Sequence, residues 1–243
     1  MFKYKIWIYV GFFGLLLAGF YWAIMDERPF HESTLKVINA EIPDFEFIDQ
    51  NNRPFNKRTT EGKVYLAEYF FTTCKGICPK MNTSMRRIYD VYKDRPDFLI
   101  ASHTCMPEVD SVALMKKYEQ KMITGELAKN NDGSFRLIEK ESTADSVTNA
   151  NWYFLTGDKS KLYQLARQGY VIDNGKPDST QTIANQFIHS QFFSLVDRYG
   201  RVRGIYDGLK ENEVDQLIKD IESLLEEKVQ PARFLNGFSN TPN

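Results

Sequence analysis

One short segment of the chain changes from a strand pattern to a helix pattern, and two cysteines lie at the change. The run "KVYLAEYFF" is apolar, aromatic and of strand length, which predicts a buried strand. From Pro79 onward, apolar side chains recur every three or four residues, as on one face of an amphipathic helix. Pro79 fits the first turn of this helix, where its missing N–H is not needed. Cys74 and Cys78 therefore follow the carboxyl end of a predicted buried strand.

The remaining segments predict an α/β fold with a mixed sheet and helices on both faces. In such a sheet, ligands bind at the carboxyl ends of the strands, where Cys74 and Cys78 fall. The predicted segments, in chain order, are an opening hairpin in "DFEFIDQNNRPFN", a strand in "DFLIASHT", a helix beginning near Pro107, a strand in "NWYFLTG", a helix from an Asp158 N-cap to Gly169, a hairpin turning at 198–200 and a closing helix in "KENEVDQLIKDIESLLEEKV".

An uncharged stretch from Ile6 to Met25 predicts a transmembrane helix, because its length matches one membrane crossing. Lys3 and Lys5 precede the stretch, and the positive-inside bias therefore predicts a cytoplasmic N-terminus. We expect a single-pass protein of the bacterial inner membrane with its C-terminal domain in the periplasm. A cleaved signal peptide is the alternative, but the apolar run is longer than a usual signal core and no clear small-x-small cleavage site follows it.

Four regions are predicted along the chain. Residues 1–25 form the membrane anchor, 26–41 a charged tether, 42–229 the folded domain, and 230–243 a loosely attached tail. Within the domain, 124–150 is polar and rich in turn residues, which predicts a surface insertion.

Composition narrows the class of protein. With 42% hydrophobic and 14% aromatic residues, the chain can build a sizeable core. A net charge of −1 without a long basic run argues against nucleic-acid binding. Three cysteines are too few for a disulfide framework in an oxidising compartment, so we expect them to have a chemical role.

The spacing of Cys74 and Cys78 allows a redox pair, a metal site or a structural disulfide. In the first helical turn, Cys78 would have a lowered thiol pKa because the helix dipole favours its thiolate. A metal site needs a third ligand. His31 belongs to the tether and His103 is ambiguous, whereas His189 stands where the chain enters the terminal hairpin and can reach the cysteine loop. On its own, however, His189 is better explained as a hydrogen-bonded histidine at a strand end.

The motifs "FFTTCKGICPKM", "WYFLTG" and "IHSQFFSLVDRYGRVRGIYDG", in this order, resemble the Sco/SenC family of copper chaperones over roughly 42–229. The resemblance implies a thioredoxin-like fold on an N-terminal anchor. It also implies that Cys74, Cys78 and His189 bind copper as Cu(I) or Cu(II), a metal that suits thiolate and imidazole donors. Delivery to the dinuclear copper centre of a cytochrome c oxidase follows from the same resemblance.

Two function classes remain open. The first is a metallochaperone, which is not an enzyme. Its expected partners are the copper-receiving oxidase subunit and a thioredoxin-like reductant. The second is a periplasmic thiol–disulfide oxidoreductase in which the Cys74 and Cys78 pair is redox-active without obligatory metal.

Other sulfur-containing residues lie close to these motifs. Met106 departs from the family, which usually has an acidic residue there, whereas Asp110 is retained. Cys105 is expected to be a small buried residue, although a disulfide with either motif cysteine is an alternative. Met81 and Met85 have helical spacing, which favours core packing over metal ligation.

Overall fold

The computed structural model describes residues 3–25, 35–74, 76–138, 149, 151–173 and 191–227. The chain divides into two compact units, one of 1–33 with 226–243 and the other of 34–225.

The N-terminal apolar stretch forms helix α1 (Lys3–Met25). Its side chains from 11 to 21 are all exposed. In the part of the chain that the structure describes, no helix is both long enough and apolar enough to cross a membrane.

The second unit combines nine strands with five helices among its described residues. The strands are β1 (Glu46–Asp49), β2 (Pro54–Asn56), β3 (Val64–Phe70), β4 (Phe98–Thr104), β5 (Glu126–Lys129), β6 (Phe135–Ile138), β7 (Trp152–Thr156), β8 (Phe192–Val196) and β9 (Val202–Asp207). The helices are α2 (Lys57–Thr60), α3 (Cys78–Tyr92), α4 (Val112–Thr124), α5 (Lys159–Gln164) and α6 (Glu211–Glu226).

Seven strands form the main sheet in the order β2-β1-β7-β4-β3-β8-β9. Strand β3 lies inside the sheet, parallel to β4 and antiparallel to β8. The sheet is therefore mixed, and the predicted α/β class is confirmed. All seven side chains of β3 are buried, as they are in β4, because helices or loops cover both faces at this position.

The two faces of the sheet carry separate apolar clusters. One cluster joins the sheet to α3, α4 and α6 through side chains that include Met85, Met115 and Leu217. The other joins it to α5 and to the β1–β2 hairpin through side chains that include Leu162 and Phe47. Helix α3, which begins at the second motif cysteine, thus packs on the first face.

Helix α4 begins at Val112, so the predicted start near Pro107 is wrong by several residues. The segment before it forms a turn in which the backbone N–H groups of Val109 and Asp110 both donate to the carbonyl of Met106. Ser111 then caps the helix, with its hydroxyl accepting from the N–H of Leu114. The backbone of 107–110 is occupied by this turn, and the helix cannot extend through it.

The helix predicted from Asp158 has two parts. Asp158 caps α5 as expected, its carboxylate accepting from the N–H of Lys161 at 2.9 Å. A π-helical turn, Leu165–Gly169, then ends the element. A Cβ atom at Gly169 would lie 2.7 Å from a Leu165 methyl carbon, so any larger residue there would displace the Leu165 side chain.

Part of the predicted insertion is a hairpin. Strands β5 and β6 pair with each other, and Leu137 packs against the first core cluster. Arg86 of α3 donates to the carbonyls of Met122, Ile123 and Gly125, which end α4 just before the hairpin. Most of 139–150 lies outside the described residues.

Residues 35–39 lie along edge strand β9. Asn39 forms an isolated antiparallel bridge with Val202. Arg203, which is itself buried against Asp197, donates twice to the carbonyl of Leu35. The first described residues of this unit are therefore bonded to the sheet.

Candidate metal and redox site

Cys74 and Cys78 form a disulfide at the carboxyl end of β3. Their Cα atoms lie 5.9 Å apart, a usual separation for a disulfide. Cys78 is buried and Cys74 is partly exposed, so Cys74 is the more accessible sulfur of the pair.

The local sequence places the pair at the boundary between strand and helix. The N–H of Cys74 donates to the carbonyl of Phe71, which turns the chain as soon as β3 has ended. Helix α3 then begins at Cys78, followed by Pro79 in the first turn, as predicted. Ile77 at the N-cap position supplies no side-chain hydrogen bond, so the positive end of the helix dipole is not neutralised by a capping side chain.

A second loop lies against the cysteine loop. The N–H of Cys105 donates to the carbonyl of Phe70 at 2.8 Å, so the pairing of β3 with β4 continues one residue past the end of β4. Asp110, fully buried, accepts hydrogen bonds from Thr72 and Thr104. The carboxyl ends of the two strands are therefore tied together directly beside the cysteines.

Glu68 is a buried acid on β3 that the sequence interpretation missed. It is 2% exposed, and its carboxyl group accepts from the hydroxyl of Ser102 at 2.6 Å, which in turn accepts from the Trp152 indole N–H at 2.9 Å. Burial raises the pKa of Glu68 to about 8, although the Ser102 hydrogen bond opposes this shift. The side chain is thus protonated at neutral pH. A glutamate in the middle of the apolar run "VYLAEYF" was the available signal.

His103 is a core residue of the opposite face. It is fully buried, stacks on Tyr69 and meets Phe47 edge-on. Its Nδ1 lies 3.1 Å from the carbonyl oxygen of Ala101. Burial lowers the pKa of His103 to about 3, so the ring is neutral at physiological pH. This environment assigns the ambiguous His103 to packing.

The other sulfur-containing side chains are also placed by the structure. Met81 and Met85 are buried in the first core cluster, so the prediction of core packing is confirmed. Cys105 is 1% exposed, as expected for a small buried residue, and burial raises the pKa of its thiol. The disulfide joins the other two cysteines. Met106 is partly buried against the second cluster.

The predicted histidine ligand, His189, lies outside the described residues, as does His31 of the predicted tether. Within the described ranges, no group of three or more His, Cys, Asp or Glu side chains is arranged to hold a metal ion. At the carboxyl end of β3, the structure brings together the two sulfurs, the N-terminus of α3 and the buried Asp110. The donor set suits a soft metal once the disulfide is reduced, because two thiolates then lie on one short loop.

A mixed sheet with a cysteine pair between an internal strand and its following helix defines a thioredoxin-like protein. The SCO1/SenC family model matches residues 36–226. The chain belongs to the SCO1/SenC family, as its motifs suggested.

Individual relatives agree with this assignment. The chain is similar to a SCO1 protein homolog of Bacillus subtilis, with 29% identity over 188 residues that cover 76% of this chain and 83% of that protein. It is also similar to the structure of BsSco, described as having a disulfide switch and as a member of the Sco family of cytochrome c oxidase assembly proteins. That match has 27% identity, a TM-score of 0.58, and covers 81% of this chain and 100% of BsSco.

The fold is shared with a copper-bound relative as well. The structure of Bradyrhizobium japonicum ScoI with copper bound matches with a TM-score of 0.53 and 18% identity, and covers 76% of this chain and 99% of that one. At this identity the match supports the thioredoxin-like fold.

Proposed function

We propose that this protein is a membrane-anchored copper chaperone that assembles the dinuclear copper centre of a respiratory cytochrome c oxidase. The observation that carries the proposal is the Cys74–Cys78 pair at the end of β3, in a chain that belongs to the SCO1/SenC family. BsSco, which is 27% identical to this chain, is described as belonging to a family of cytochrome c oxidase assembly proteins.

Copper is the cargo in this proposal, and three side chains hold it. The thiolates of Cys74 and Cys78 and the imidazole of His189 supply soft and borderline donors, which suit Cu(I) and, with a further oxygen ligand, Cu(II). Oxidation of the pair to the disulfide removes both sulfur donors. Copper loading therefore depends on prior reduction of Cys74–Cys78, because metal binding requires deprotonated, reduced sulfur.

The proposed partners follow from this cycle. A thioredoxin-like reductant opens the disulfide, and the copper-receiving subunit of the oxidase takes the ion. The apolar stretch of 1–25 anchors the chain in the bacterial inner membrane, and the domain of 42–229 works in the periplasm. Between them, 26–41 serves as a tether that is bonded to the sheet at Leu35 and Asn39. Resistance of the full chain to alkaline extraction from membranes, together with protease access to the domain only from the periplasmic side, would support this topology. Release of the chain by alkali would contradict it.

An anaerobic copper titration of the reduced full chain in detergent tests the site. We expect one tightly held copper per chain and thiolate-to-Cu(II) charge-transfer bands that are lost in Cys74→Ser and Cys78→Ser. His189→Ala should weaken binding beyond the roughly 10- to 100-fold loss typical of an outer-shell change. His31→Ala is the matched histidine control, since it lies in the predicted tether. Unchanged affinity in His189→Ala would remove His189 from the site.

The disulfide favours a second candidate function, a thiol–disulfide oxidoreductase. Partly exposed Cys74 would attack a substrate disulfide, and Cys78 at the helix start would resolve the mixed disulfide. This function requires efficient turnover of a protein disulfide by the metal-free dithiol. Rates no faster than those of a small thiol, with stoichiometric copper in the titration, would leave the chaperone as the function.

A further inference from the structure

Asp110 is a fully buried carboxylate beside the cysteine loop. One oxygen accepts from the hydroxyl of Thr72 at 2.5 Å and from its backbone N–H at 3.2 Å. The other oxygen accepts from the hydroxyl of Thr104. Among the described residues, no Lys, Arg or His side chain forms an ion pair with Asp110. The carboxylate is therefore held by these hydrogen bonds, which are of the stronger, charge-assisted kind.

These bonds connect two separate parts of the chain. Thr104 is the last residue of β4, and its hydroxyl also accepts from the N–H of Met106 at 2.9 Å. Thr72 lies inside the turn that begins at Phe71 and ends at Cys74. Asp110 thus attaches the turn that presents Cys74 to the rigid end of the neighbouring parallel strand.

Asp110 is the described carboxylate that contacts this turn. Helix α3 fixes Cys78, since its following residues Met81 and Met85 are packed in the core. Cys74 has no such support from a helix, and it is partly exposed. The distance between the two sulfurs therefore depends on how firmly the turn at Thr72 is held.

We propose that Asp110 is a positioning residue that holds the Thr72 turn so that Cys74 faces Cys78, and thereby stabilises the disulfide relative to the dithiol. The proposal rests on the proposed function only in its consequence for copper loading, which requires the dithiol. In the redox step, a dithiol reductant breaks the S–S bond and supplies two electrons and two protons. Cys74 and Cys78 become thiols, and the reductant becomes a disulfide.

Losing the carboxylate loosens the turn. An amide has one acceptor oxygen where a carboxyl group has two, so the side chain of Asp110→Asn cannot accept from both Thr72 and Thr104. A turn held less firmly brings the two sulfurs together less often, so the effective concentration for ring closure falls. We therefore expect Asp110→Asn to shift the equilibrium toward the dithiol by about tenfold, equivalent to about 30 mV for this two-electron couple.

The experiment equilibrates the full chain in detergent with dithiothreitol redox buffers and measures the Cys74–Cys78 state by alkylation and peptide mass. Asp110→Asn and Thr72→Val should each shift the equilibrium about tenfold, and Thr72→Ser, which keeps the hydroxyl, should restore it. Thr72→Val removes the same bond from the other partner, so the test remains available if Asp110→Asn does not fold.

Tyr206→Phe is the matched control for general destabilisation. It removes a hydrogen bond of 2.7 Å to Asp220 on α6 and touches neither loop. Thermal unfolding is measured for each variant in parallel. If Asp110→Asn and Thr72→Val lose stability like Tyr206→Phe but keep the wild-type redox equilibrium within about twofold, the positioning role is refuted.

The copper titration is read separately from the redox titration. If the wild-type chain binds no copper, the chaperone proposal fails while the redox shifts still decide the role of Asp110. If copper binds and the redox equilibrium is unchanged in both variants, the positioning role fails alone.

Discussion

The buried acid of β3 makes a sharp prediction about stability and pH. Glu68→Gln replaces a protonated carboxyl group by an amide of nearly the same shape. The Gln carbonyl oxygen can still accept from the Ser102 hydroxyl, which keeps the chain of hydrogen bonds to Trp152. The variant cannot ionise at position 68. We therefore expect a protein that folds like the wild type and differs from it mainly at higher pH.

The sign follows from the proton balance of the two states. Folding raises the pKa of Glu68 from the ordinary value of 4.5 to about 8 because the side chain is buried. Between these values the unfolded chain holds fewer protons than the folded chain, so the free energy of unfolding of the wild type falls as pH rises. The slope reaches at most about 1.4 kcal/mol per pH unit. Below the unfolded pKa both states are protonated, and this penalty disappears.

The magnitude is large for a single side chain. From about pH 5.5 to about pH 8, the wild type should lose about 3 kcal/mol relative to Glu68→Gln. Urea unfolding of the oxidised full chain in detergent at a series of pH values measures this difference, in which titrations common to both proteins cancel. Glu46→Gln removes a negative charge from an exposed position of β1 and controls for net charge. Parallel pH profiles for wild type and Glu68→Gln would refute the assignment of a buried, neutral acid.

Three further predictions concern the core. Met85→Ala should lower the free energy of unfolding, measured with urea, by about 2–5 kcal/mol, because it leaves a cavity in the first cluster. A loss below about 1 kcal/mol would show that this region is not tightly packed. Burial lowers the pKa of His103 in the folded chain from 6.5 to about 3. Below about pH 6.5 the unfolded chain therefore binds more protons than the folded chain, and the free energy of unfolding of the wild type falls as the pH falls. His103→Leu should weaken this acid dependence in the same assay, and an unchanged acid limb would contradict it. Arg203→Met should lower the free energy of unfolding by about 3 kcal/mol, because it removes a buried partner of buried Asp197. Arg201→Met, at a more exposed partner of the same carboxylate, should lower it by about 1 kcal/mol or less. The reverse order would refute the importance of burial.

Local patterns predicted most of the elements correctly. The alternation of Phe45 and Phe47 with polar neighbours indicated the β1–β2 hairpin, and Asp158 indicated the start of α5. These features depend on residues close together in the chain, where periodicity and capping act. The cysteine pair was located for the same reason, since it follows an apolar strand and precedes a proline.

Features set by distant residues could not be predicted in this way. Helix α4 starts late because residues 107–110 form a turn closed on the Met106 carbonyl, and Asp110 of that turn is held by Thr72 of another loop. The position of β1 next to β7 requires knowledge of the assembled sheet. The pKa of Glu68 depends on its burial in the assembled domain. Whether Cys74 and Cys78 are bonded to each other was likewise left open by their spacing.

The hydrogen bonds that hold residues 35–39 along β9 affect whether neighbouring copies of this protein can pair through their sheet edges. Unpaired backbone groups at a sheet edge are a template for strand addition by another chain. The bridge of Asn39 to Val202 and the Arg203 hydrogen bonds to Leu35 occupy part of that edge. The opposite edge, β2, has only three residues and begins with Pro54. The domain is thus protected at both edges of its main sheet against β-pairing with a second copy.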